Sequence, residues 1–380
     1  MARGAGLKIA RIFGIPIYLH SSWFVIFVLY TLMLTTRSAV ASPEWTQTQQ
    51  WTMALATSIL FFGSVLFHEL AHSVVALHYR IPVTSITLFV FGGVARIARD
   101  PARAIEEFLI AAAGPLSSYV LAGAFGLVAL GTRAGTVVHE GSSWLSLINF
   151  WLATFNLVPG FPLDGGRILR SIVWGLTGNF TRATRAAARS GEAIAYLMMA
   201  LGLGIALFGR ENGGVFEGVW LAFIGWFLLN MARQSYAQAT TQEALQGLTV
   251  ADVMTPEAPT VARDISLEEY SQEVTRSKCR THLVVADGQL AGLMTIEALK
   301  AVPQSDWAGT SVQAVMLPRG NVHWAAPEET ALALMERMRQ DNLQEMAVVA
   351  SDRVVGLVTL ESVTQAVQIR ADLKRTGTAR

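Results

Sequence analysis

Six apolar stretches, at about 17–36, 52–78, 106–130, 144–158, 190–208 and 215–232, dominate the chain before Met231. About 20 consecutive apolar residues are needed to cross the hydrocarbon core as a helix. In lipid, a backbone must satisfy its own polar groups, so segments of this kind span as helices. The chain of 380 residues has only 15% charged residues, against about 25% in soluble domains. That deficit lies almost wholly in the first part, and from Ala232 onward the composition is that of a soluble domain. The expected fold class is a multi-pass α-helical membrane protein of about six transmembrane helices, followed by a soluble α/β module.

Basic residues orient the spans, because cytoplasmic loops are enriched in Lys and Arg. With Arg3, Lys8 and Arg11 inside, the loop after the second span carries Arg80, Arg96, Arg99 and Arg103 on the same side. The connection after the fourth span adds Arg167, Arg170, Arg182, Arg185 and Arg189, whereas the opposite loops hold only Arg37, Arg133 and Arg210. This predicts a multi-pass protein of the cell membrane with its N-terminus and its soluble tail in the cytoplasm. The start "MARGAGLKIARIFGIPIYLH" has basic residues before an apolar run without a convincing cleavage site, and reads as a retained first transmembrane helix rather than a removed signal peptide.

Between the second and third spans lies "IPVTSITLFVFGGVARIARDP". Two runs of β-branched and aromatic residues flank Gly92 and Gly93, which predicts a β-hairpin or re-entrant strand pair. "ITLFVF" is too apolar to sit comfortably in water. The tail contains an internal repeat. Val253-Met254 is echoed by Val315-Met316, and "GQLAGLMTIEAL" by "DRVVGLVTLESV", with Gly292 matching Gly356. Matched punctuation at a fixed period argues for a tandem module. The expected organisation is a membrane domain over 1–235, a linker over 236–247, and repeats over 248–303 and 308–370.

The second span carries His68, Glu69 and His72 in "FHELAH". On a helix, residues at i and i+4 share a face, so both imidazoles can bind one metal ion. Glu69 beside them can take a proton from water. Ionisable residues near a span's centre cost roughly 2.5–3.5 kcal/mol each on insertion scales, so three within five residues imply function. Catalytic zinc sites use three protein ligands. Candidates for the third are His20, His78, Glu106, Glu107 and Asp164. Asp164 is favoured: it sits in "NLVPGFPLDGGR", where Pro159 and Pro162 break a helix and Gly165-Gly166 permit unusual turns. At 1.5 Å per residue, His72 and His68 lie roughly 12 and 18 Å from Arg80, a depth that Asp164, just before Arg167, could share.

Taken with "FGGVAR", "EEFLIAAAGPLSS" and "NLVPGFPLDGGR", these residues resemble the site-2 proteases, intramembrane zinc metalloproteases of family M50. The tail resembles a pair of CBS domains over about 246–370. The resemblance implies His68, His72 and Asp164 as ligands of one zinc ion and Glu69 as catalytic base. It implies Asn156 as a substrate contact near the scissile bond, and the strand around Gly92 and Gly93 as a clamp for extended substrate. The CBS pattern implies Thr295, Glu297, Thr359 and Glu361 as contacts for an adenine nucleotide, with Glu where Asp is commoner. The implied partners are a membrane-spanning protein substrate, the lipid bilayer, a nucleotide, and a second copy through the CBS pair.

Other functions fit less well. A net charge of +1 and the lack of a basic run give no nucleic-acid surface. Cys279 is the only cysteine, so no intrachain disulfide forms. A soluble metalloprotease is excluded by the apolar spans. A CBS-gated transporter or channel would not need Glu directly after the first His, nor a distant Asp beside paired prolines. An inactive protease-like scaffold would not need His68, Glu69, His72 and Asp164 all intact.

Overall fold

The structure, a computed structural model, describes residues 6–90, 92–209, 214–256, 258–286, 288–341, 343–351 and 353–377. Arg3, Phe91 and Arg210 lie outside the described residues. Two units divide near residue 240.

The first unit opens with β1 (Gly6–Ile12) and β2 (Ile15–His20). The first span therefore begins at Ser21, not near residue 17. "IPIYLH" alternates buried and half-buried positions as a strand does, and Pro16 disfavours a helix there. His20 caps α1 (Ser21–Ala41), its Nδ1 accepting from the Ser22 backbone N–H at 3.2 Å. The long α2 (Gln47–His78) follows, opened by a Thr46–Gln49 capping box. The expected hairpin forms as β3 (Val83–Phe89) and β4 (Gly92–Ile97). It joins a four-stranded sheet of order β1-β2-β3-β4, with β2 and β3 parallel and the other pairs antiparallel. β4 is an edge strand.

Next come α3 (Ala104–Gly131), α4 (Val137–Asn156), α5 (Asp164–Thr177), α6 (Phe180–Phe208) and α7 (Gly214–Leu245). Five helices, α1, α2, α3, α6 and α7, are long and apolar enough to cross a membrane by length and composition. The fourth apolar stretch is longer than its apolar residues suggest. It belongs to α4, whose polar first turns, with His139 and Glu140, place it outside that set of five. Helix α5 was not foreseen in the sequence, and the 236–247 linker is mostly the end of α7. The sheet packs on α2 and α3 through Ile15, Leu19, Ile86 and Leu88 against Val65, Ala76 and Ile110. Fully buried Ala183, Ala187 and Ala195 leave room for close approach along α6.

The second unit contains the repeat. Its first half is α8 (Val250–Val253), β5 (Thr255–Pro256), β6 (Thr260–Ala262), α9 (Leu267–Ser277), β7 (Thr281–Ala286), β8 (Gln289–Thr295) and α10 (Ile296–Lys300). The second is α11 (Val312–Val315), β9 (Leu317–Pro318), β10 (Trp324–Ala325), α12 (Ala331–Gln340), β11 (Glu345–Ala350), β12 (Arg353–Thr359) and α13 (Leu360–Gly377). The leading strands are exchanged: β5 pairs with β12, and β9 with β8. Gly292 and Gly356 permit this. A Cβ on Gly292 would lie 2.4 Å from Leu317 O and 2.8 Å from Met316 Sδ, and one on Gly356 would lie 2.8 Å from Met254 Sδ. The Met and Gly punctuation of the repeat is thus one reciprocal contact made twice. The leading helices cross over too, with Val250 and Val253 packing on Leu334, Met335 and Met338, and Val312 on Leu267 and Tyr270.

His282 is buried here in its neutral form. Its Nδ1 lies 3.3 Å from the Tyr270 hydroxyl, which donates to Met294 O, and its Nε2 lies 2.9 Å from Ser277 Oγ. Burial holds the imidazole below its ordinary value, with Glu273 opposing. The unfolded chain therefore takes up a proton first as pH falls, and stability present above the ordinary imidazole range is lost below it. Thermal melting of the second unit should fall between about pH 7.5 and pH 5.5, and His282→Asn should flatten that dependence. An unchanged slope in that variant would remove His282 from the explanation.

Candidate metalloprotease site

Helix α2 places His68 and His72 one turn apart, and both are buried. Their Nε2 atoms lie 3.2 Å from each other, and Asp164 Oδ2 lies 3.1 Å from the first and 3.2 Å from the second. Asp164 reaches them because α4 ends at Asn156 and the chain turns through 157–163 before α5 starts with Asp164 itself. Gly165 and Gly166 fit beneath this turn, where a Cβ would lie 2.3 Å from Leu157 O and 2.4 Å from Gly160 C.

The other ring nitrogens are held by α3. His72 Nδ1 donates to Ile110 O at 2.6 Å, and His68 Nδ1 lies 2.9 Å from Ser118 Oγ. The Ile110 carbonyl can only accept, which puts the His72 proton on Nδ1, and Ser118 Oγ can accept one from His68 in the same way, so that each Nε2 lone pair is aimed at one point. The donor set fits zinc. Tetrahedral coordination at about 2.0–2.1 Å separates ligand atoms by about 3.3 Å, close to the spacing here. All three donor atoms lie within 4.8 Å of one another. Gly114 of α3 faces the pair, and a Cβ there would lie 2.2 Å from His72 Nε2 and 2.6 Å from His68 Nε2.

Glu69 faces β4. Its carboxylate accepts a hydrogen bond from the Ala95 backbone. A Cβ on Gly93 would lie 2.4 Å from Glu69 Cγ, so only glycine lets the strand approach this closely. A cavity of about 540 Å³ opens in front of His68, Glu69, His72 and Asp164. Gly92, Gly93, Asn156 and Arg167 also line it. The Asn156 amide is anchored on Leu152 O at 2.9 Å. All four of the residues predicted for the centre, and the three predicted around it, thus converge.

The rejected ligand candidates have other tasks. His20 caps α1, His78 ends α2 beside Tyr79, and Glu106 Oε2 accepts from Ala102 N at 3.1 Å. Glu107 is 0% exposed and belongs to a buried ion pair with Arg170, whose Nε donates to its Oε1 at 2.8 Å. Arg170 also lies over the rings of Phe161 and Phe180, at 5.0 and 4.7 Å. Arg167 Nε approaches the same Glu107 oxygen at 3.8 Å. The two arginines counted in the sequence as loop charges are therefore on a packed helix, facing a carboxylate of α3. The sequence reading missed Gly114, Ser118 and this ion pair, although "EEFLIAAAGPLSS" contains three of the residues involved.

In the C-terminal unit, Glu297, Thr359 and Glu361 line a second cavity of about 640 Å³, with Lys278, Arg280 and Thr281. Glu297 pairs with Arg280 at 2.7 Å. Thr295 is not in the lining, and its hydroxyl accepts from Ala298 N as the N-cap of α10. A carboxylate three residues after each Thr would stand at Ala298 and Ser362, so Glu297 and Glu361 precede that position by one residue.

Comparison with known proteins bears on both units. The model of peptidase family M50 matches residues 56–138 and 128–201, and that of the CBS domain matches residues 312–369. The protein named zinc metalloprotease Rip3, of Mycobacterium tuberculosis, is 35% identical over 96% of this chain and 93% of its own. Zinc metalloprotease MJ0392 of Methanocaldococcus jannaschii is 30% identical over 76% of this chain and 78% of its own. The chain belongs to peptidase family M50, the site-2 proteases. It is a zinc metalloprotease with a C-terminal CBS module. The solved site-2 protease of Methanocaldococcus jannaschii is 29% identical over 61% of this chain and 95% of that one, with a TM-score of 0.41.

Glycine at 114 should be a requirement of metal binding rather than of helix packing. Gly114→Ala should strip zinc from the purified protein by at least about tenfold in affinity, as expected when groups that orient ligands are disturbed. Gly123→Ala, on the same helix with nothing within 4 Å of its added Cβ, should retain full zinc, which metal analysis of both variants checks.

Proposed function

We propose that this chain hydrolyses peptide bonds within membrane-spanning segments, using Glu69 as the base and His68, His72 and Asp164 as the zinc ligands. The observation that carries this reading is the convergence of two Nε2 atoms and one Oδ2 beside Glu69, at the wall of a cavity in a unit built of apolar helices. Zinc bound there would lower the pKa of water and polarise a carbonyl. Glu69 then accepts the proton of the attacking water and returns it to the leaving nitrogen as the C–N bond breaks. Its hydrogen bond from Ala95 holds the carboxylate at the cavity wall.

A peptide bond inside a helix is shielded, so substrate must unwind before attack. The edge strand β4 could pair with an extended segment and replace its lost helical hydrogen bonds. Gly92 and Gly93 leave the edge free of side chains next to Glu69, and Asn156 faces the same space. The basic residues after the second span, Arg80, Arg96, Arg99 and Arg103, support a cytoplasmic location for the N-terminus and the CBS module.

We further propose that the second cavity takes an adenine nucleotide. Lys278 and Arg280 offer cations for its phosphates, and Thr359, Glu361 and Glu297 line the remainder. Helix α7 runs unbroken from the apolar region to Leu245, so nucleotide binding could bias the protease unit through a helical connector.

Glu69→Gln should keep its zinc and lose cleavage by about 10²–10⁴-fold, and near-native cleavage by that variant would sink the assignment. Asp164→Ala should lower bound zinc, measured on purified protein. Titration of ATP or AMP into the CBS module should release heat and raise its melting temperature, and neither change would mean that this cavity takes another ligand or none.

A further inference from the structure

Among the described residues, Arg167 is the one lysine or arginine lining the catalytic cavity, whose other ionisable groups are Tyr30, His68, Glu69, His72 and Asp164. It follows Asp164 by three residues on α5, so the two side chains leave neighbouring points on one face of that helix. A guanidinium in an apolar unit is costly and needs a matching anion. The nearest is Glu107, but Arg170 already occupies it, through Nε at 2.8 Å and through a second contact from Nη2 to the same oxygen. The Arg167 guanidinium stands at 3.8 Å from that oxygen and makes no hydrogen bond among the described residues. Meanwhile Glu107 Oε2 is buried and has no hydrogen-bond partner among them. If pairing with Glu107 were the task of Arg167, that oxygen would be the acceptor to take.

Two guanidinium groups and one carboxylate leave an excess of one positive charge beside the reaction centre. That charge is complementary to what hydrolysis creates. As the water oxygen bonds to the scissile carbonyl carbon and its proton goes to Glu69, the C=O bond opens and the carbonyl oxygen becomes negative. We propose that Arg167 is a catalytic residue that donates hydrogen bonds to this oxygen as its charge develops. Glu107 and Arg170 hold α5 so that the guanidinium is already in place, and preorganised donors of this kind act most strongly where water is excluded. The proposal rests on reading His68, Glu69, His72 and Asp164 as the proteolytic centre.

The full-length protein in detergent can be tested with a fluorogenic apolar peptide, chosen from a panel as one that the native enzyme cleaves. Arg167→Gln should lower kcat about a hundredfold, with KM within about threefold of native and zinc per chain unchanged. Arg167→Lys should recover part of that loss. An anionic phosphonamidate peptide, which mimics the charged tetrahedral species, should bind Arg167→Gln about a hundredfold more weakly, while a neutral peptide amide binds it as it does the native enzyme. The inference is overturned if Arg167→Gln keeps kcat within about threefold of native, if its loss follows zinc content, or if phosphonamidate affinity is unchanged. Glu69→Gln measured in parallel separates the two levels. Cleavage by that variant defeats the site assignment itself, whereas an inactive Glu69→Gln beside an active Arg167→Gln defeats this inference alone.

Discussion

The hydrogen bonds between the Nδ1 atoms of His68 and His72 and helix α3 govern the geometry of the membrane unit. An imidazole in an apolar helix must find partners for both nitrogens. Here Ile110 O and Ser118 Oγ satisfy one nitrogen on each ring, which leaves the other on each ring for a shared purpose. Gly114 of α3 then stands where an added Cβ would crowd both Nε2 atoms. The constraint that looks like a cost of burying polar groups is what defines the site.

The third proposed ligand depends on a different device. Asp164 begins a short helix after a broken turn, and nothing local fixes that helix against α3. The Glu107–Arg170 pair does so, in a setting where separated charges are heavily penalised. Phe161 and Phe180 flank the guanidinium. The same helix, α3, therefore orients both histidines and anchors the aspartate's helix. Glu69 is set independently by β4, through Ala95 and the bare backbone of Gly93. The proposed metal ligands and the proposed base thus draw on separate supports.

In the CBS module the repeat is closed by exchange. Each half gives its leading strand and helix to the other, and each receives them over a glycine. The hydrophobic clusters consequently mix residues of both halves, so neither repeat over 248–303 or 308–370 completes its core alone. Tandem occurrence follows from packing.

The chemistry was readable in one dimension because it is local. The i, i+4 spacing of His68 and His72, the adjacent Glu69 and the apolar run around them specify a metal-binding helix in lipid from a dozen residues. The same holds for the hairpin at Gly92 and for the repeat. Less was readable where side chains meet across long separations. The N-terminal strands hid in front of an apolar helix because their partner, β3, lies some 70 residues away. Helix α5 was obscured by its prolines and glycines, and Arg167 and Arg170 passed for loop charges because Glu107 is some 60 positions earlier. By itself the sequence determined the apolar helical character of the first unit, the residues proposed as ligands and the repeat, since periodicity and spacing act within a few turns of chain. Only the tertiary structure decided which nitrogen of each histidine is turned toward Asp164 and which arginine enters the cavity. Those choices depend on hydrogen bonds and charge pairs that exist only once distant helices are packed together.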